Sequence, residues 1–131
     1  LNMNFKIIII TFLTISFFFD LNSKHHSNLK GLRLICDLEN LKIGFEFLDN
    51  TYFSEITYHK SDGYIEKNNN DYHYLSDKDY VYLERTDLKD QLYMRINRSS
   101  LYINDDKKRK CMILKTSIAE FFKNLKKQQF N

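Results

Sequence analysis

Cysteine, histidine and clustered carboxylate side chains are the groups here that could bind a metal, move a proton or make a covalent bond, and they are few. Cys36 and Cys111 are the only two cysteines, and the four histidines are His25, His26, His59 and His73. The cysteine pair has three possible fates: a disulfide, two reduced buried thiols, or two metal ligands. Metal is the poorest fit, because no C-x-x-C pairing occurs and no histidine stands at ligand spacing from either cysteine. An even count in an exported chain reads as one disulfide. Closing a loop of about 75 residues would stabilise the fold by roughly 4–5 kcal/mol in the chain-entropy account.

His59 and His73 flank the polar segment from Lys60 to Asp71. Brought together with Asp62, Glu66 and Asp71, they would make an acid/base or metal cluster. The plainer alternative is a set of exposed strand-end residues around a loop. No nucleophile elbow, P-loop, dinucleotide fingerprint, H-E-x-x-H or calcium-loop spacing occurs in the chain, so a non-catalytic protein without a cofactor is expected.

Two surfaces offer recognition chemistry instead. All nine tyrosines fall in strand-like runs, and an outward face carrying Tyr93, Arg95 and Tyr102 would suit protein or glycan contact, since Tyr and Arg concentrate at binding hot spots. Tyrosine is also simply a good strand residue. The second surface is electrostatic. From Lys107 onward there are eight basic residues against one acid, whereas Lys24 to Asp106 holds 11 basic against 15 acidic. Lys107, Lys108, Arg109, Lys110, Lys123, Lys126 and Lys127 are therefore candidate contacts for anionic lipid or polymer. A solvated helix face lying against the acidic remainder of the domain is the alternative. Nucleic acid fits poorly, because the stretch lacks interleaved aromatics.

The elements that would position these groups follow from periodicity. From Gly31 onward the apolar pattern repeats every second residue more often than every 3.6, which predicts strands. Leu32, Leu34 and Cys36 share a face, as do Ile43, Phe45 and Phe47. The next run is Tyr52 to His59, followed by short segments at Gly63–Glu66, Asp71–Leu75 and Asp79–Glu84, with the asparagines 68–70 read as a turn. Leu92, Met94 and Ile96 lead through Asn97-Arg98-Ser99-Ser100 into Leu101–Ile103. Pairing Ile96 with Leu101 sets Met94 opposite Ile103 and Arg95 opposite Tyr102, which collects the aliphatic residues on one face. Lys110 to Lys115 is the last predicted strand. Ser117 and Glu120 then form a capping box for a helix with Ile118, Phe121, Phe122 and Leu125 on one face and lysines on the other.

Composition supports a packed core, with 43% hydrophobic and 15% aromatic residues. It also reflects codon bias: Ile, Lys, Asn, Phe, Tyr and Met total 64 residues against 9 for Gly, Ala, Arg and Pro. The 13 residues Ile7–Phe19 carry no charge and follow Lys6. They are short of the ~20 residues a membrane span needs and right for a secretory signal, so residues 1–23 are read as a signal peptide or N-terminal anchor and 24–131 as one β-rich domain. The expected fold is mainly β, a small antiparallel meander barrel or sandwich of about eight strands with one C-terminal α-helix.

The framework Leu34-Ile35-Cys36, Ile43–Phe47, Ile96–Ile103 and Arg109-Lys110-Cys111 resembles short exported β-domain proteins of AT-rich marine bacteria. The likeness spans about residues 32–114 and implies a secreted β-domain with a bridge between its ends. The layout is also loosely similar to the periplasmic C-type lysozyme inhibitors, small barrels that use a loop carrying S-G-x-x-Y. Ser61-Asp62-Gly63-Tyr64 departs from that spacing, and no inhibitory residue carries over. The reading is an exported, non-catalytic domain, periplasmic or secreted, with an envelope protein or small ligand as its partner.

Overall fold

The computed structural model describes residues 29–85 and 92–130, the side chains of 69–71 and 92 excepted. The expected leader 1–23, with Ile7–Phe19, lies outside the described residues, as do His25 and His26. Eight strands follow in chain order: β1 (Arg33–Asp37), β2 (Leu41–Phe47), β3 (Tyr52–His59), β4 (Ile65–Ser76), β5 (Tyr80–Glu84), β6 (Leu92–Asn97), β7 (Tyr102–Ile103) and β8 (Asp106–Ile113). A helix, α1 (Ile118–Phe130), ends the described chain. Each strand pairs antiparallel with the next, and β8 returns to β1. The sheet thus closes as a barrel, the first of the two expected architectures.

Alternation decides what fills it. Leu34, Cys36, Ile43, Phe45, Phe47 and Phe53 are 3% exposed or less, and the interior is a column of interlocked rings. Phe53 sits 5.7 Å from Phe45 and 5.5 Å from Tyr72, and Phe47 meets Tyr74 edge-on at 4.8 Å. Geometries of this kind add about 0.5–1.5 kcal/mol each beyond burial. Cys36 and Cys111 face one another across the β1–β8 seam and are bonded as a disulfide.

The chain reaches β1 through a turn at Gly31, whose φ of 86° is in the left-handed region open to glycine. Tyr74 pins this approach: its hydroxyl accepts from the Leu29 N–H at 3.3 Å and donates to the Asp49 carbonyl at 2.6 Å. That end of the barrel also carries the β2–β3, β4–β5 and β6–β7 connections. The opposite end carries the turns at Leu38–Asn40, Lys60–Tyr64 and Asn104–Asp105.

Two expectations about strands need correction. Asn68–Asn70 is not a turn; β4 runs twelve residues through it, and the three residues 69–71 stand against Ser54 alone as a bulge. A bulge absorbs surplus residues without ending a strand. In the β6–β7 hairpin Ile96 pairs with Ile103, not Leu101. The slip is two residues, so every side chain keeps its face. It arises because Leu101, at φ 63°, belongs to the turn, closed by its N–H on the Asn97 carbonyl at 2.9 Å.

Outside the wall, α1 covers β1–β3. Ser117 caps it, its Oγ accepting from the Glu120 N–H at 3.4 Å. Ile118 and Phe122 are buried, Phe122 stacked on Tyr58 at 5.4 Å, and the Tyr58 hydroxyl donates to Gln129 Oε1 at 2.6 Å. Close approach requires Gly44: a Cβ there would lie 2.3 Å from Ile118 Cγ2.

Candidate functional site

The two histidines are not brought together. His59 ends β3 and its Nε2 lies 3.2 Å from Glu66. His73 pairs with Tyr52 at the start of β3 and holds Glu84 at 2.7 Å. Seven residues of strand separate the two levels, about 23 Å at 3.3 Å per residue. Each of the two has its own carboxylate, so among the described residues they form no shared acid/base cluster. Asp62 serves the β3–β4 turn, its Oδ1 accepting from the Tyr64 N–H at 3.0 Å, and the Asp71 side chain lies outside the described residues. Among the described residues, no group of three or more His, Cys, Asp or Glu side chains is placed to hold a metal ion. Ser61–Tyr64 is the turn itself, with Gly63 beneath Phe130 and Lys126.

The Tyr93, Arg95 and Tyr102 face is also divided. Tyr93 is a bulge residue: Leu83 pairs with Met94 and Glu84 with Leu92, leaving Tyr93 without a partner in the ladder. Alternation places it beside Arg95 on the outside, but the bulge redirects its hydroxyl to Glu55, which it meets at 2.7 Å. Arg95 stays outside, bound to Asp105 at 2.6 Å with its guanidinium 4.4 Å over the Tyr80 ring. Tyr102 carries the Lys110 ammonium at 5.8 Å.

The polar cluster that Tyr93 joins escapes sequence reading. Glu55 is 2% exposed and lies on the inward face of β3 with Phe53 and Thr57. Its Oε1 accepts from Tyr93 and its Oε2 from Asn68 Nδ2 at 2.5 Å. The Arg85 guanidinium sits 4.9 Å over Tyr72 and 4.8 Å over Tyr93. Burial first, and then the Glu55 carboxylate, push the Tyr93 phenol well above its ordinary range, so it stays a hydrogen-bond donor. The position explains the network. The β4–β5 ladder ends at His73↔Glu84; beyond it Glu55 and Asn68 stand opposite one another in the β3–β4 ladder, and the Tyr93 side chain reaches them from β6. A charged residue in phase with Phe53 and Thr57 was the signal available in the sequence.

The basic stretch is likewise split. Lys107, Lys108 and Arg109 stand in a bulge between the pairs Tyr102↔Lys110 and Ile103↔Asp106. Lys108 and Arg109 border a hollow of about 470 Å³ that also takes in Asp37, Glu39 and Lys60. There Lys60 is tied to Asp37 at 2.6 Å and Arg109 approaches Asp106 at 3.6 Å. Lys126 instead lies on Gly63 at the β3–β4 turn, with β1 and β2 between it and β8 in the barrel order. Among the described residues, Lys107, Lys108, Lys123, Lys126 and Lys127 have no acidic side chain within ion-pair distance.

Sequence and structure comparisons add no relative to these observations: no family model, curated protein or solved structure matches the chain.

Proposed function

We propose that this chain is an exported, non-catalytic β-barrel domain, periplasmic or secreted, that binds a protein or small ligand in the cell envelope. The observation that carries the reading is the disulfide across the closing seam, Cys36 to Cys111, which belongs to an oxidising compartment. No helix of the described residues is long and apolar enough to cross a membrane, which fits a domain released from, or tethered by, the apolar segment Ile7–Phe19. A filled interior and separately paired histidines favour recognition at the surface over chemistry inside. The test immobilises the oxidised domain and passes envelope extract over it. Saturable retention of a partner, competed by free domain, is expected. No retention, together with hydrolase turnover that His59→Ala or His73→Ala abolishes, would replace the binder with an enzyme.

A second reading, association with anionic lipid or polymer, rests on Lys107, Lys108, Lys123, Lys126 and Lys127, which among the described residues have no acidic side chain within ion-pair distance. It predicts binding to anionic vesicles that falls steeply as salt rises, and binding indifferent to salt would dispose of it.

A further inference from the structure

At the end of the barrel where the chain arrives, a hollow of about 190 Å³ opens between the approach to β1 and the β6–β7 turn. Its deep side is apolar and packed, formed by Leu34, Val81 and Ile96, each 4% exposed or less. Leu32 and Leu101 wall it, and Ile113, 60% exposed, stands at the mouth. One charged side chain lines it, Arg98. Arg98 donates from Nη1 to the Asp77 carbonyl at 2.7 Å, and among the described residues no carboxylate lies within ion-pair distance of it. Leu101 is held at φ 63°, where non-glycine residues seldom sit and where residues that shape ligand sites are over-represented.

Resting on the binding function proposed above, we infer that this hollow takes a short-chain carboxylate, its alkyl tail among the leucines and its carboxylate on Arg98. Ligand sites characteristically combine an apolar concavity with a few polar groups, and barrel mouths are a common place for them. The guanidinium supplies the fork that matches a carboxylate and leaves the tail pointing inward. Size limits the tail: at about 30 Å³ per water-sized group, the volume accommodates roughly six carbons. Burying each methylene strengthens binding about fourfold until the hollow is full. Affinity therefore climbs from butyrate to hexanoate and levels off at octanoate.

The experiment titrates the oxidised protein with butyrate, hexanoate, octanoate, hexanol and hexylamine, and follows methyl resonances of Leu34, Val81, Ile96 and Leu101. Hexanoate should shift these four and bind about tenfold tighter than hexanol, with hexylamine weakest. Arg98→Gln, an exposed position, should remove that tenfold advantage and leave hexanol unchanged. Leu101→Gly, which suits the left-handed backbone, should weaken hexanoate and hexanol alike. Equal binding of hexanoate and hexanol would overturn the carboxylate assignment. Silent methyls at millimolar hexanoate would overturn the site. If the site fails while envelope extract still supplies a saturable partner, only the ligand class falls; failure of both removes the binder reading.

Discussion

Placing a methyl group on Gly44 tests how α1 is held. The added Cβ would lie 2.3 Å from Ile118 Cγ2, 3.2 Å from its Cδ1 and 3.3 Å from Ile35 Cδ1. Carbon atoms rest about 3.5–4.0 Å apart, so the helix must lift by more than an ångström at its first turn. Overpacking of this kind costs about 1–3 kcal/mol, against a gain of about 0.5–1 kcal/mol from replacing glycine inside a strand. Gly44→Ala should therefore destabilise by about 1–2 kcal/mol. Ile118→Ala alone, which empties the buried position, should cost about 2–5 kcal/mol. In the double variant the new methyl occupies the space that Ile118 vacates, so the two costs should not add; the shortfall is about 2 kcal/mol. The assay is a double-mutant cycle by denaturant unfolding, with thermal melts shifting about 4–8 °C per kcal/mol for a domain of this size. Amide exchange across Ile118–Phe130 should accelerate in Gly44→Ala ahead of the barrel strands. Costs that add to within about 0.5 kcal/mol would refute the claim that Gly44 exists to seat Ile118.

Three further outcomes follow from the same contacts. Reducing Cys36–Cys111, 75 residues apart, should cost about 4.5 kcal/mol in the chain-entropy account; a loss below about 1 kcal/mol would show the barrel closing without it. Tyr93→Phe should cost about 1.5–3 kcal/mol because Glu55 stays buried with one donor fewer, and combining it with Glu55→Leu should recover part of that loss, read by urea midpoints. Tyr82 is raised from 10.0 to about 12 by burial and by the Asp77 carboxylate that accepts its hydrogen bond at 2.7 Å. Its contribution to stability is fully present below pH 10 and is lost as pH climbs through about 12; absorbance titration at alkaline pH should show that late step, and Tyr82→Phe should lack it.

Much of the fold was legible because alternation is a strong signal wherever one face is buried. Leu34 and Cys36, then Ile43, Phe45 and Phe47, and Met94 with Ile96 all face the core as the pattern requires. The cysteines read as a bridge, and Ser117 read as a cap. The misreadings share a cause, which is that bulges and left-handed turn residues break the period that makes strands readable. One bulge carried β4 through its asparagines, another turned Tyr93 inward, and the left-handed turn at Leu101 moved the hairpin register by two. The histidines lie apart, as the plainer reading of strand-end residues has it, because closeness in sequence to one loop does not fix which ends of a long strand pair two residues occupy. The Gly44–Ile118 contact depends on where a helix lands, which local pattern does not encode.

The seam disulfide also governs how the barrel would respond to being pulled. A load arriving along the chain ahead of β1 and leaving after β8 passes from Cys36 straight to Cys111, through a covalent bond between neighbouring strands. Only the segments outside that link, including α1, bear tension and can peel. The strands between are shunted out of the force path and would add no length to the tether. Breaking the bond would release the 75-residue separation at once, a step of about 250 Å of extended chain. Oxidised, the stretch between the cysteines is a short link of fixed length; reduced, it can pay out under load.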